Sequence, residues 1–187
     1  MSSLTYYVGA TLDGFIAAPD GSADFLPVTA DLFARLARDF PDTIPTHLRA
    51  TFGLGSDAER FGAAVMGRAT YQPARDAGVA DPYAHLATYV VSTTLPPGTT
   101  DGVEVVADPV ALVRRLKSEG THVWLVGGGV LATALAGEID EVVLKVYPCT
   151  AGDGVPLFAG RFRPRSWQPV GTEPLPGGVL LARYRPA

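Results

Sequence analysis

Three consecutive glycines, Gly127, Gly128 and Gly129, follow a continuous apolar segment that runs from His122 to Val126. Glycines at the end of a strand let a pyrophosphate approach the backbone, and a helix that begins there offers unpaired N–H groups and a positive dipole end. The run therefore predicts a dinucleotide site. Its spacing differs from the usual dinucleotide fingerprint, so a tight strand-to-helix turn that binds nothing is the alternative.

A fourth glycine, Gly67, follows a short buried strand predicted over residues 63–66, and Arg68 and Thr70 come next. A guanidinium can hold a phosphate through two hydrogen bonds, and the threonine hydroxyl can donate to another oxygen. The alternative is a surface arginine beside a threonine that caps a helix beginning nearby. The sequence alone does not separate these two interpretations.

Hydroxyl side chains end another predicted strand, over residues 87–92, where Ser92, Thr93 and Thr94 follow one another. They suit the 2′-phosphate of NADP, although ordinary turn residues explain them as well. Residues 11–27 are predicted to form a long loop with two Asp-Gly turns. A loop of this length is suited to a substrate lid, and a plain surface loop is the alternative.

Composition excludes several classes of protein. The chain has 187 residues, 47% hydrophobic and 18% charged, which predicts one globular domain over residues 1–187. A net charge of −4 argues against nucleic-acid binding. No apolar run reaches the ~18 residues of a membrane helix and no signal peptide is evident, which predicts a cytoplasmic protein. The histidines have no ligand spacing, so no metal site is expected.

The order of predicted elements is mostly strand–helix–strand. It predicts a three-layer αβα fold with a mixed, mostly parallel sheet that ends in an antiparallel hairpin. Residues 41–60 are predicted to be irregular, and Asp108 is predicted to cap a helix with Pro109 at its first position. The predicted strands cover residues 4–10, 63–66, 87–92, 103–106, 122–126, 138–147, 167–172 and 178–185, and the predicted helices cover residues 29–40, 109–120 and 129–136.

Four segments in this order resemble the dihydrofolate reductase-like fold, and in particular the C-terminal reductase domain of bacterial riboflavin-biosynthesis deaminase-reductases and its stand-alone relatives. They are Thr11-Leu12-Asp13-Gly14-Phe15-Ile16-Ala17, Met66-Gly67-Arg68-Ala69-Thr70-Tyr71, Val126-Gly127-Gly128-Gly129, and the ending from Trp167 to Tyr184. Together they span nearly the whole chain. The zinc motif of the deaminase half is missing.

The resemblance implies NADPH as the hydride donor and a homodimer as the assembly. It also implies a cis peptide bond between Gly127 and Gly128. Gly67, Arg68 and Thr70 would contact the cofactor phosphates, and Ser92 and Thr93 would lie near the 2′-phosphate. The pyrophosphate and nicotinamide would be wrapped by Gly127, Gly128, Gly129, Val130 and Leu131.

The same resemblance assigns the substrate end of the site to the first loop and to residues 152–158, with Asp13, Gly14, Phe25 and Asp153 as the contacts. Phe25 stands where the stand-alone relatives carry a tryptophan. Asp31 is a candidate for the acid that dihydrofolate reductases place on the first helix, although a solvent-facing residue of a helix's first turn is an equal interpretation. Asp24 and Asp31 are therefore the candidate proton donors, with a bound water as the alternative.

These features predict hydride transfer from NADPH to a carbonyl or imine carbon of a small substrate. The phosphoribosylamino-pyrimidine of riboflavin biosynthesis is one candidate substrate, and Arg35, Arg38 and Arg49 are candidates for holding its phosphate. A reductase of the same fold acting on another pterin-like or secondary-metabolite substrate is the second hypothesis. The third is a nucleotide-binding protein without catalytic activity.

Overall fold

The computed structural model describes residues 2–100 and 102–187. Its α-helices are α1 (Ala30–Asp39), α2 (Thr46–Arg49), α3 (Arg68–Asp76), α4 (Pro109–Ser118) and α5 (Gly129–Ala134). Short 3₁₀ segments cover Pro41–Thr43, Ala50–Phe52 and Pro176–Gly178. The strands are β1 (Leu4–Ala10), β2 (Phe15–Ala17), β3 (Ala63–Gly67), β4 (Ala87–Val91), β5 (Gly98–Thr100), β6 (Val103–Val106), β7 (Val123–Gly127), β8 (Glu141–Val146), β9 (Val155–Pro156), β10 (Trp167–Pro174) and β11 (Leu180–Pro186).

Within these described residues, nine strands form one sheet in the order β10-β11-β8-β1-β7-β3-β4-β6-β5. The six central strands, from β8 to β6, are parallel to one another. The flanking strands β10, β11 and β5 are antiparallel. The predicted mixed sheet with a terminal hairpin is therefore confirmed. The sequence did not predict β5 or the small sheet of β2 and β9.

Helices cover both faces of the sheet, and the side chains of β1 alternate between these two faces. Tyr6 belongs to a buried cluster with Leu112 of α4 and Leu135, just after α5. Tyr7 belongs to a separate cluster with Leu36 of α1. This alternation is the period-2 pattern of a strand buried on both sides, and it produces the three-layer αβα arrangement.

The predicted beginning of α4 is confirmed, and that of α3 is wrong. One carboxylate oxygen of Asp108 accepts hydrogen bonds from the backbone N–H groups of Val110 and Ala111, both at 3.0 Å. Helix α3 instead begins at Arg68, directly after Gly67, so Thr70 lies inside its first turn and does not cap it. The Thr70 side chain is consequently directed toward the neighbouring glycine turn.

Residues 41–60, predicted to be irregular, are organised around a buried arginine and a buried aspartate. Arg49 donates hydrogen bonds to the carbonyl oxygens of Pro41 at 2.7 Å, Gly55 at 2.9 Å and Asp57 at 3.0 Å. Its Nη1 lies 3.9 Å from a carboxylate oxygen of Asp42. The candidacy of Arg49 for a substrate phosphate is therefore wrong, because this side chain is buried and its donors are already used.

None of the described helices combines the length and the apolar character needed to cross a bilayer.

A candidate active-site cleft at the carboxyl ends of the central strands

The glycine turn after β7 faces the beginning of α3, because β7 and β3 are adjacent and parallel. A Cβ atom built on Gly127 would lie 3.7 Å from both Cγ2 and Oγ1 of Thr70, and one on Gly128 would lie 3.4 Å from that Oγ1. The two motifs that the sequence singled out separately are thus in contact. Ligands of open α/β sheets bind at this kind of edge, beyond the carboxyl ends of the strands.

Gly128 turns the chain from β7 into α5 with φ +101° and ψ 107°. This positive φ is a conformation that only glycine adopts readily, which explains one of the three glycines. The predicted cis bond between Gly127 and Gly128 is wrong, because every peptide bond among the described residues is trans.

Gly129 has a different role from its two neighbours. A Cβ atom at this position would lie 2.1 Å from the carbonyl oxygen of Pro156 and 3.3 Å from the backbone nitrogen of Ala159. The missing side chain therefore lets the 156–159 segment pack against α5. Val130 is exposed and Leu131 is buried in the core.

A cavity of about 260 Å³ lies beside the glycine turn and is bounded by Val8, Gly127, Gly128 and Thr70. It adjoins a wider outer cavity of about 650 Å³ at the start of α3, where Arg68 is the lining cation. The two share the lining residues Gly21, Ala69, Pro73 and Val155. They form one continuous groove along α3, which we call the glycine-turn groove.

A third cavity, of about 240 Å³, continues the groove inward across the end of β1 and shares Val8, Ile16, Ala23 and Val126 with it. Four aromatic side chains line it, and we call it the aromatic cavity. They are Tyr7, Tyr83, Trp124 and Tyr147. Trp124 is held in place because its indole N–H donates to the Tyr7 carbonyl oxygen at 3.1 Å.

The cation of the aromatic cavity is Lys145, which the sequence analysis did not select. Strand β8 places Lys145 beside Gly9 of β1, and its Nζ lies 4.1 Å from the centre of the Tyr7 ring. Burial lowers the pKa of Lys145 from its ordinary value to about 8, because desolvation penalises the charged form. The alternating pattern of β8 carried a signal, since it puts Lys145 on the same face as the apolar Val143 and Tyr147.

A sequence comparison shows the family of the chain. Residues 2–181 match the family model described as the RibD C-terminal domain. The chain belongs to this family. It is also 29% identical over 156 residues to a Bacillus subtilis (strain 168) protein described as uncharacterized protein YwjB, covering 81% of this chain and 80% of that one.

Two solved structures share the fold. A protein from Shewanella sp. PV-4 that is named for riboflavin biosynthesis matches with a TM-score of 0.74, 23% identity and 99% of each chain covered. The Thermotoga maritima diaminohydroxyphosphoribosylaminopyrimidine deaminase/5-amino-6-(5-phosphoribosylamino)uracil reductase matches with a TM-score of 0.66 and 15% identity. That match covers all of this chain and 57% of the Thermotoga chain. At these identities the two structures support the RibD-like, dihydrofolate reductase-like fold.

Among the predicted phosphate residues of this RibD-family chain, Arg68 lines the outer cavity of the glycine-turn groove, and Ser92 and Thr93 lie beside its partner Thr94. Arg68 is exposed, and its Nη1 donates to Oγ1 of Thr94 at 2.9 Å. Ser92 is buried, and its Oγ accepts from the backbone N–H groups of Thr94 at 3.1 Å and Leu95 at 3.0 Å. The Ser92 hydroxyl thus shapes the turn, while Thr93 is exposed beside it.

The carboxylates of the outer cavity already have local partners. Asp20 accepts from the backbone N–H of Ser22 at 2.9 Å and from its hydroxyl at 2.7 Å. Asp76 accepts from the amide of Gln72 at 2.7 Å. Arg68 is therefore the side chain in this cavity that is suited to an anionic ligand.

Asp13 fastens two loops together, and it does not line the cleft. Its carboxylate accepts from the Thr11 hydroxyl at 2.5 Å and from the backbone N–H groups of Ala151 at 3.1 Å and Gly152 at 2.7 Å. The hydrogen bond from Thr11, followed by those from the backbone, lowers the pKa of Asp13 to about 2. The Gly14 carbonyl oxygen accepts from the Leu157 N–H at 2.9 Å, which extends the same fastening.

The remaining predicted substrate and proton-transfer residues lie away from the cavity linings. Asp24, Phe25 and Asp31 are exposed, and the loop contributes Ala23 and Leu26 to the aromatic cavity in their place. Asp153 is exposed and accepts from the N–H of Gly154 at 2.8 Å. The roles predicted for these four side chains remain untested, and the geometry does not bring them together.

The two other arginines considered for a substrate phosphate are paired with acids. Arg35 bonds Asp39 and also contacts Glu173 at 3.2 Å, while Arg38 contacts Asp39 at 3.1 Å. Residues 2–100 and 102–187 contain no cluster of three or more His, Cys, Asp or Glu side chains that would hold a metal ion.

Proposed function

We propose that the protein is an NADPH-dependent reductase that transfers a hydride to a carbonyl or imine carbon of a small substrate. The observation that carries the proposal is the joining of the glycine-turn groove to the aromatic cavity. The groove is suited to an elongated dinucleotide, and the cavity, at about 240 Å³, is suited to one small ring system.

The residues of the groove fit a dinucleotide phosphate. Gly127 and Gly128 line the groove beside Thr70 without side chains, so an anion can approach their backbone closely. Arg68 and Thr94 supply a guanidinium and a hydroxyl at the outer end, where a phosphate of the adenosine half would lie. NADPH would supply the hydride, and the chain's own residues would orient it and exclude water.

Membership of the RibD C-terminal domain family supports a reductase and makes the riboflavin-pathway pyrimidine the first substrate to test. The partners of Arg35, Arg38 and Arg49 remove the basic residues that the sequence offered for its phosphate. We therefore retain, as the second candidate, a reductase of the same fold that acts on a different conjugated substrate.

The test is an NADPH titration monitored by cofactor fluorescence, with Gly127→Ala as the decisive variant. A Cβ at this position has only ordinary contacts with Thr70, so the variant should fold, but it adds a methyl group to the lining of the groove. We expect affinity for NADPH to fall by about tenfold or more. Gly171→Ala is the matched control, because a Cβ at that exposed strand position meets no atom within 4 Å.

Consumption of NADPH with 5-amino-6-(5-phosphoribosylamino)uracil, and with a panel of other carbonyl and imine compounds, then separates the candidate functions. Turnover of the pyrimidine supports the riboflavin step, and turnover of another compound supports the second candidate. Binding of NADPH without any turnover would indicate a nucleotide-binding protein. Absence of NADPH binding by the wild type would refute the proposal.

A further inference from the structure

Lys145 is a partly buried cation for which the described residues supply no counter-charge. Among the residues that the structure describes, no carboxylate lies within ion-pair distance of the Lys145 ammonium group, and no residue forms a hydrogen bond with it. The ammonium group lies over the Tyr7 ring. The other lysine of the chain, Lys117, contacts the Asp140 carboxylate at 2.6 Å. A charge left unpaired inside a protein is costly, which makes the position of Lys145 informative.

The Tyr7 side chain lines the same cavity as Lys145, and its hydroxyl also lacks a polar partner in the described part of the chain. The Tyr7 hydroxyl is buried without a hydrogen-bond partner among the described residues. Burial raises its pKa well above the ordinary value, and the nearby Thr43 side chain opposes this rise without forming a hydrogen bond of good geometry. Two polar groups on the wall of one cavity therefore lack an acceptor.

The shape of the aromatic cavity depends on a small residue. A Cβ atom at Gly9 would lie 2.8 Å from Cε2 of Tyr147, so the glycine makes room for that ring. Tyr83 packs edge-on against Trp124 with ring centres 4.8 Å apart. The flat faces and edges of these rings suit a planar ligand, and Lys145 supplies the charge.

We propose that Lys145 anchors a substrate subsite in the aromatic cavity, which accepts a planar conjugated ring bearing a negatively charged oxygen. This rests on the proposed function in one respect, since the ring would be the hydride acceptor held next to the glycine-turn groove. An anionic oxygen would provide the counter-charge that the cavity lacks, through a charge-assisted hydrogen bond to Nζ. Neutral rings of the same shape would bind more weakly.

The lowered pKa of Lys145 gives a direct readout, because the chain has only two lysines. Reductive methylation with ¹³C-formaldehyde labels both lysines and the amino terminus, and Lys145→Arg identifies the Lys145 signal. The other titratable or charged groups near the cavity are Tyr7, Tyr83, Tyr147, Cys149, Arg183 and Asp39. Burial raises the pKa of each of the three tyrosines, and Asp39 is paired with Arg35 and Arg38.

The probes are orotate and orotamide, which share one planar ring and differ in carrying a carboxylate or a neutral amide. We expect orotate to bind the wild type at least about tenfold more tightly than orotamide, as judged by calorimetry with and without NADP⁺. Lys145→Met should abolish this preference and Lys145→Arg should retain part of it. Orotate should also raise the pKa of the labelled Lys145, whereas orotamide should not.

The proposal is overturned if orotate does not bind, if Lys145→Met keeps the preference, or if orotate leaves the Lys145 titration unchanged. NADPH affinity is measured in parallel and should be the same in wild type and Lys145→Met. A wild type that prefers orotate but does not bind NADPH would refute the proposed function and keep the subsite. A wild type that binds NADPH but shows no orotate preference would refute the subsite alone.

Discussion

Arg49 is a buried cation and Lys145 a partly buried one, and their surroundings are opposite. Arg49 donates to three backbone carbonyl oxygens and lies near the buried carboxylate of Asp42. The Lys145 ammonium lies over the Tyr7 ring and lines a cavity, with no ion pair or hydrogen bond to the described residues. The region around Arg49 is complete without a ligand, whereas the region around Lys145 has an unsatisfied charge.

The difference separates a structural charge from a functional one. Asp42 is fully buried and accepts from the backbone N–H groups of Glu59 at 2.9 Å, Arg60 at 2.6 Å and Phe61 at 2.8 Å. Together with Arg49 it holds a loop-rich segment against the core. Perturbed, unpaired groups in a cleft are instead characteristic of binding and catalytic sites, and Lys145 fits that description.

Arg49→Met should produce the largest loss of stability. Removing the guanidinium leaves three carbonyl oxygens without their donor and the buried Asp42 carboxylate without its nearby cation, and we expect the free energy of unfolding to fall by about 3–5 kcal/mol. Urea denaturation measures this directly. The exposed Arg161→Met is the control and should change stability by less than about 0.5 kcal/mol. A similar small change for Arg49 would contradict its structural role.

Lys145→Met should change stability in the opposite direction. At pH 7 the variant no longer holds an unpaired charge that has lost part of its solvent, so we expect its free energy of unfolding to exceed that of the wild type by about 1–3 kcal/mol. The unfolded chain keeps the ordinary lysine pKa of 10.5, and the folded chain has about 8. Between these values the unfolded state binds more protons, so the wild type gains stability as the pH rises.

The advantage of Lys145→Met should therefore be complete below pH 8 and should disappear as the pH approaches 10.5. Urea denaturation of both proteins across this range gives the difference, in which other titrating groups cancel. A difference that does not depend on pH, or a variant less stable than the wild type at pH 7, would contradict the account of Lys145 as an uncompensated cation.

Asp13→Asn should have the smallest effect, because this carboxylate is exposed and its partners are local. We expect faster amide exchange at Ala151 and Gly152, whose N–H groups it accepts, with little change in global unfolding. The stabilisation by Asp13 is present above its unfolded pKa of 3.8 and is lost as the pH falls through the folded value of about 2. Unchanged exchange at both amides would show that the fastening does not depend on charge.

Local patterns were sufficient for most of the elements. Strand β1 and the capped start of α4 could be predicted because side-chain alternation and the Asp-Pro sequence act over a few residues. The predicted start of α3 was wrong because Gly67 already supplies the extended residue that precedes the helix. Local sequence rules do not distinguish Gly67 from Thr70 in this role. The order of residues 41–60 was missed because it depends on contacts 17 to 19 residues apart, from Asp42 to the 59–61 backbone.

The two halves of the cleft show the same division. The residues of the glycine-turn groove could be predicted from the sequence, because glycines, a guanidinium and hydroxyls at predicted strand ends are local signals that do not depend on how the strands are ordered. Only the tertiary structure decided the aromatic cavity, where β1, β7 and β8 bring together Tyr7, Trp124 and Lys145 from positions far apart in the chain. The pKa of a lysine in a strand depends on how much solvent its side chain loses and on which charged partners surround it. Neighbouring residues in the sequence determine neither.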